Sequence, residues 1–204
     1  MTTDALFNQL KHPNPHLRER AMWALAETSD PEIIPRLLKS LGEPNVSYRR
    51  AAVKALGIIG TDSVGSVVDL LLTTEDLVVK ASCVKALAQV AFNHPEDPFP
   101  TVGLQALNTV LQDPNPVVNI ATAMALGEIG VPALEMLTIS LQETDNPALA
   151  IAILNAISSI DHPQSIKILR DLAQDESADG YVRESAISAV SRVEQMHTIQ
   201  NLKS

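Results

Sequence analysis

The chain has 204 residues, a formal net charge of −9 and a pI near 4.9; 46% of its residues are hydrophobic and 3% aromatic. That acidity argues against a general nucleic-acid binder, which needs a basic footprint to displace counterions from phosphate. A single cysteine, Cys83, excludes internal disulfides, CxxC redox motifs and multi-cysteine zinc sites, and no apolar run reaches the length of a membrane span.

The opening MTTDALFNQLKHPNP lacks a basic region followed by an apolar one, so it does not read as a secretory signal. With one cysteine, a reducing, cytoplasmic location is expected. The scarcity of aromatics fits stacked Ala/Leu/Ile/Val helices better than a compact enzyme core. Ala24-Leu25 is the first of a series of Ala-Leu-like pairs, with second members Leu25, Leu56, Leu87, Leu126, Ile157 and Val190. These anchors recur at nearly even intervals, except that the step from Leu87 to Leu126 is longer than the others. A period of about 31 residues is the signature of a solenoid. The expected fold is all-α: an α-solenoid of about six helix–turn–helix repeats in one domain over residues 1–204.

Each unit reads as two helices. In the second unit, PEIIPRLLKSLGE (31–43) is apolar at Ile33, Ile34, Leu37, Leu38 and Leu41, a helical spacing. Asp30 is the expected N-cap with Pro31 in the first turn, and Gly42 and Pro44 stop the helix. Ser47–Ile59 is the expected second helix, its end loosened by Gly57 and Gly60. The stretch NVSYRRAAVKALGIIG (45–60) returns as NPVVNIATAMALGEIG (115–130). Alanine precedes every anchor, and small residues there let neighbouring helices approach closely. The first unit departs at Thr28, and the last (SADGYVRESAISAV) is polar-rich, with an expected frayed tail over 196–204.

The longer step comes from AFNHPEDPFP, which predicts an insertion loop over 91–101. Either it is a tolerated loop or it is a rim element contacting a partner through exposed Phe92, His94 and Phe99.

Four columns of the repeat follow from the register. Four before the anchor stand Ala21, Ala52, Cys83, Thr122, Ile153 and Ala186, expected to face the core, which makes Cys83 a buried, inert thiol, the other reading being a transient attachment point. Seven before stand Arg18, Arg49, Lys80, Asn119, Ala150 and Arg183; the cations there are expected to pair with inter-repeat acids or carbonyls. Two before stand Trp23, Lys54, Lys85, Met124, Asn155 and Ser188. Six before, on the same face, stand Glu19, Arg50, Ala81, Ile120, Ile151 and Glu184. The last two columns lie off the core and predict a surface on the second-helix layer, which in helical solenoids is usually concave. It runs from Trp23 through basic Arg50, Lys54 and Lys85 to Ile120, Met124, Ile151 and Asn155. Such a face suits an amphipathic, anionic guest, or an ordinary protein partner anchored on the tryptophan.

Chemistry of a self-contained enzyme is hard to find. Three of the five histidines precede proline, none forms HExxH or a His-Glu pair, and no GxxxxGK[ST], GxGxxG or GxSxG stands in the chain. No metal site and no catalytic nucleophile are expected. Deoxyhypusine hydroxylases resemble this repeat architecture but need His-Glu pairs that are missing here.

The recurring DPNP or EPNV, then AAxALGxIG, resembles the short HEAT-like repeats of the phycobilisome lyases over essentially the whole chain. FNQLKHPNPHLRERAMWALAE, the six units and FNHPEDPFP resemble the F-type subunit of the E/F phycocyanobilin lyases. The resemblance implies a heterodimer with an E-type subunit. It also implies phycocyanobilin as substrate rather than prosthetic group, and attachment to a cysteine of the phycocyanin α subunit, which supplies the nucleophile. A bilin carries two propionates on an apolar conjugated body, which matches the guest inferred from the columns. Relatives that also isomerise the bilin carry Asn-His-Cys-Gln-Gly-Asn. The best match here, NIATAM (119–124), keeps Asn119 and lacks the His and Cys, so attachment without isomerisation is expected. The alternative is a non-catalytic scaffold or adaptor of the same repeat family, acting in phycobilisome assembly or turnover.

Overall fold

In the computed structural model, which describes residues 1–201 and side chains through residue 195, the helices come in pairs. The first three pairs are α1 (Thr3–Leu10) with α2 (Pro15–Ala26), α3 (Ile33–Lys39) with α4 (Val46–Ile59), and α5 (Thr61–Thr73) with α6 (Leu77–Asn93). The other three are α7 (Thr101–Leu111) with α8 (Pro116–Ile129), α9 (Leu134–Glu143) with α10 (Pro147–Ser159), and α11 (Pro163–Gln174) with α12 (Gly180–Asn201). No strand occurs among the described residues. The architecture is the all-α repeat solenoid that the period predicts.

The start of every second helix is written locally. Asn14, Asn45, Asp76, Asn115, Asn146 and Asp179 share one register, each upstream of its anchor by the same distance. Each side chain accepts a hydrogen bond from a first-turn N–H, such as Asn45 from Tyr48 at 3.1 Å, Asp76 from Val78 at 2.7 Å and Asn115 from Val117 at 2.9 Å. Such a cap contributes about 1 kcal/mol. The sequence reading used DPNP and EPNV as the mark of the repeat and did not single out this capping column.

Residues 1–122 and 123–204 form two compact units, divided within α8. In the first, α2, α4 and α6 pack in succession, with α3, α5 and α7 in a second row. In the second, α9 packs on α10, α11 on α12, and α10 on α12. Leu25, Leu56, Leu87, Leu126 and Ile157 are buried, as is the whole column four before the anchors. Val190, in the last pair, is only half-buried, because no further pair follows it among the described residues.

The glycines of the two ALGxIG copies do separate jobs. Gly60 and Gly130 end their helices at φ 81° and 84°, a conformation that L side chains avoid. Gly57 and Gly127 lie inside the helices, where they permit close packing rather than loosening an end. A Cβ on Gly57 would meet the Gln89 side chain and lie 2.9 Å from its carbonyl carbon, and one on Gly127 would lie 2.9 Å from Ala156 Cα. Gly57 is therefore where α4 meets α6, and Gly127 where α8 meets α10.

Three further expectations change. α3 starts at Ile33, later than expected, and ends in a 3-10 turn at Ser40–Gly42. Asp30 caps the turn ahead of it, accepting from the Glu32 N–H at 2.9 Å and from the Thr3 hydroxyl at 2.7 Å. The insertion loop is shorter than 91–101, because α6 absorbs Ala91, Phe92 and Asn93 and the loop spans only 94–100. The backbone of α12 is helical through Asn201; the rest of the expected fray over 196–204, side chains from 196 and residues 202–204, lies outside the described residues.

Candidate binding face of the second helices

The column seven before the anchor is structural in the first unit. Arg18 donates to the carbonyls of His12 and Pro13 at 2.7 and 2.8 Å, and Arg49 donates to the Glu43 carbonyl. Lys80 reaches into the next pair and holds Asp113 at 3.0 Å, with both side chains mostly buried. Asn119 donates to the Asp113 carbonyl at 3.1 Å. Burial pushes the Asp113 carboxyl up, but the Asn115 N–H and Lys80 outweigh it and leave it below the usual aspartate range. The expected inter-repeat pairing is thus met, among the described residues, by Lys80 alone, whereas Arg18, Arg49 and Asn119 tie down the turn of their own pair.

The columns two and six before the anchor differ in kind. Trp23 is 52% exposed, and Lys54 and Lys85 are exposed at the same register on α4 and α6. Arg50 is exposed one turn before Lys54 on α4. None of Arg50, Lys54 and Lys85 has an ion-pair partner among the described residues. The first unit thus brings Trp23 and three unpaired cations onto adjoining helices. Ile120 follows at the register of Arg50 but is half-buried, and Ala81 is buried.

The sequence reading missed part of this face. A shallow depression on α2 is lined by His16, Glu19, Arg20, Trp23, Ala24 and Glu27. His16 and Arg20 share the Trp23 face at helical spacing, and extending the columns to nine and five before the anchor finds both.

In the second unit, Met124 is 65% exposed and Asn155 is exposed, while Ile151 is half-buried. Asn155 Oδ1 accepts from Arg192 Nη2 at 3.2 Å. Arg192 lies just past the last anchor, outside the four columns, and places a cation beside the asparagine.

The loop residues correct the rim reading. Phe92 is 63% exposed, but as part of α6. His94 is half-buried: its Nε2 lies 3.1 Å from the Ile58 carbonyl and its Nδ1 3.7 Å from Asp97. Its ring fills the space over Gly60, where a Cβ would come within 2.6 Å. Phe99 is also half-buried, with its ring over Gly103. Two of the three expected contact residues therefore pin the insertion to the fold.

Cys83 is fully buried, and desolvation raises its thiol to about 12. It has no thiolate at neutral pH and no access to a guest. Asn119 is buried and turned to the Asp113 carbonyl, so the one survivor of the isomerase-like motif is not on the exposed face. Among the described residues, no group of three or more His, Cys, Asp or Glu is placed to hold a metal, and no helix is long and apolar enough to cross a membrane.

A family model of HEAT repeats matches residues 3–88 and 104–191, leaving out the insertion. The chain is 50% identical to the uncharacterized phycocyanin operon protein Z of Pseudanabaena tenuis (strain PCC 7409), over 95% of this chain and 96% of that one. It is 31% identical to the bilin biosynthesis protein CpeZ of Synechococcus sp. (strain WH8020), over 83% and 94%. Among solved structures it is similar to the complex of CpcE and CpcF of phycocyanin lyase from Nostoc sp. PCC7120. That match has a TM-score of 0.50 and 20% identity over 76% of this chain and 96% of that one, a likeness of fold. The chain belongs to the HEAT-repeat family and, within it, to the group that holds phycocyanin operon protein Z and the bilin biosynthesis protein CpeZ.

Proposed function

We propose that the chain is the F-type subunit of a heterodimeric bilin lyase, which binds phycocyanobilin and directs its attachment to a cysteine of the phycocyanin α subunit without isomerising it. The carrying observation is the contrast between two sets of cations. Those seven before the anchor are spent inside the fold, whereas Arg50, Lys54 and Lys85 are exposed and unpaired beside Trp23. Free cations next to an exposed indole fit two propionates on a flat apolar body. The names of two relatives, one from a phycocyanin operon and one from bilin biosynthesis, support the same guest.

The chemistry asked of this chain is positioning. Cys83 is buried and protonated, so the attacking sulfur belongs to the acceptor. The chain holds the propionates, leaves the ethylidene end open to the acceptor thiolate, and gains rate by orientation. An E-type subunit completes the site, and the complex works in the cytoplasm.

The test is reconstitution of this chain with an E-type partner, apo-phycocyanin α subunit and phycocyanobilin. Zinc-induced fluorescence is read on the denatured α band. Covalent colour only in the presence of the chain supports the reading, and R50A/K54A/K85A should lower it severalfold. Equal colour with the chain omitted sinks the lyase reading and leaves a scaffold of the same family. A double-bond shift in the product sinks the claim of no isomerisation.

A further inference from the structure

The polar column seven before the anchors, of which Lys80 ties one pair to the next, is interrupted at Ala150. Arg18, Arg49, Lys80 and Asn119 precede it at this register, each with a polar head on a carbonyl or an acid. At Ala150 only a methyl group is present, and beside it lies a cavity of about 790 Å³ within the second unit, among α9, α10, α11 and α12. Leu141, Leu172 and Val182 supply apolar wall.

The cavity is acidic. Asp145 and Asp171 line it, as do Asp175 and Asp179 from the loop before α12. Lys167 answers Asp171 at 2.6 Å, and Arg183 attracts Asp175. Hydrogen bonds from the Ser177 hydroxyl and N–H hold Asp175 below the usual aspartate range. Asp179 accepts from the N–H groups of Tyr181 and Val182, and Asp145 has no ion-pair partner among the described residues. Four carboxylates thus face two cations around an apolar space.

We propose that this cavity receives a lysine or arginine side chain from a basic segment of a partner protein. That side chain takes the place which the chain fills for itself, earlier in the same column, with Lys80. The alkyl stem packs on Leu141 and Leu172 while the head meets the carboxylates, the division of labour that long cationic side chains favour. The Lys80–Asp113 pair is the internal precedent, a cation of one pair held by the loop acid of the next. The inference does not use the exposed cations of the second-helix face, so it stands or falls separately from the bilin reading.

The experiment uses the full chain, labelled with 15N, and a capped pentapeptide, Ala-Leu-Arg-Leu-Ala, with its citrulline counterpart as a neutral isostere. The arginine peptide should shift the amides of Ala150, Ser177 and Asp179, and the citrulline peptide should bind about tenfold more weakly. A150R supplies the missing cation of the column from within and should abolish those shifts while leaving the remaining spectrum in place. D145N/D171N changes only exposed rim residues and should weaken the arginine peptide severalfold, a readout that survives if A150R fails to fold. Equal affinity for the two peptides, binding retained in A150R, unchanged affinity in D145N/D171N, or no shift up to about 10 mM overturns the proposal.

Discussion

The stretches 45–60 and 115–130 share their glycines, their cap and their anchor, yet only one of them is covered. Over Gly60 sits the ring of His94, delivered by the insertion and held on the Ile58 carbonyl; a Cβ on Gly130 would meet nothing within 4 Å. The same motif therefore serves one purpose common to both copies, a left-handed helix stop, and in the first copy a second one, a seat for the loop that follows. What looks in sequence like an interruption of the period is anchored on the copy before it.

Four measurements would break or sharpen that contrast. Gly60→Ala should be the most damaging, at about 3 kcal/mol, since it adds a clash with His94 to the backbone strain. Gly130→Ala carries the strain alone and should cost about 2 kcal/mol by chemical denaturation. In an H94A background the two should become equal. A Gly60→Ala penalty that stays larger there means that the ring does not occupy the space assigned to it. Inside the helices, Gly57→Ala and Gly127→Ala should each destabilise by about 2 kcal/mol although alanine is the better helix former, because the clash with the neighbouring helix exceeds the propensity gain. A gain in stability at either position would refute the close approach.

Next comes the column seven before the anchor, paired at Lys80–Asp113 and interrupted at Ala150. Asp113→Asn keeps the bond from Asn115 and removes the charge facing Lys80, and should cost about 1.5 kcal/mol at neutral pH. The folded pKa of Asp113 is depressed, so its contribution is complete above the ordinary aspartate range and is lost as pH falls through the folded value. The gap between wild type and variant should accordingly close in acid, and a gap that widens in acid contradicts the pairing. The smallest effect is expected at the caps: N45A and N115A should each lose about 1 kcal/mol, alike in the two copies. Unequal losses would show that the copies are less equivalent than their sequences.

The period made the helix pairs legible, because a column that recurs once per repeat has one physical explanation, a surface buried against the next copy. The core column and the structural cations followed from the same register. What stayed hidden depended on distance across the fold. Proline and acid mark 94–100 as loop, and the rim reading of it has His94 and Phe99 exposed, yet Gly60 and Gly103, far away or folded back, leave room for their rings. Gly57 read as a weak helix end because its partner, Gln89, belongs to the following repeat. On the candidate face the cations were found, since exposure follows from register; the burial of Ile120 and Ile151 was missed, since half-burial depends on neighbours that a column does not contain.

The six capping side chains bear on how an anion could be held. A bare helix start is a ready-made carboxylate site, but here every second helix meets its own Asn or Asp first, and two of the six caps are themselves carboxylates. Arg50, Lys54 and Lys85 stand well inside their helices, beyond reach of those amides. An acidic guest would be gripped by long, mobile, solvated arms. Such a grip tolerates variation in where the acid groups sit, lets go readily, and fades as salt rises. It suits a surface that must hand its cargo on.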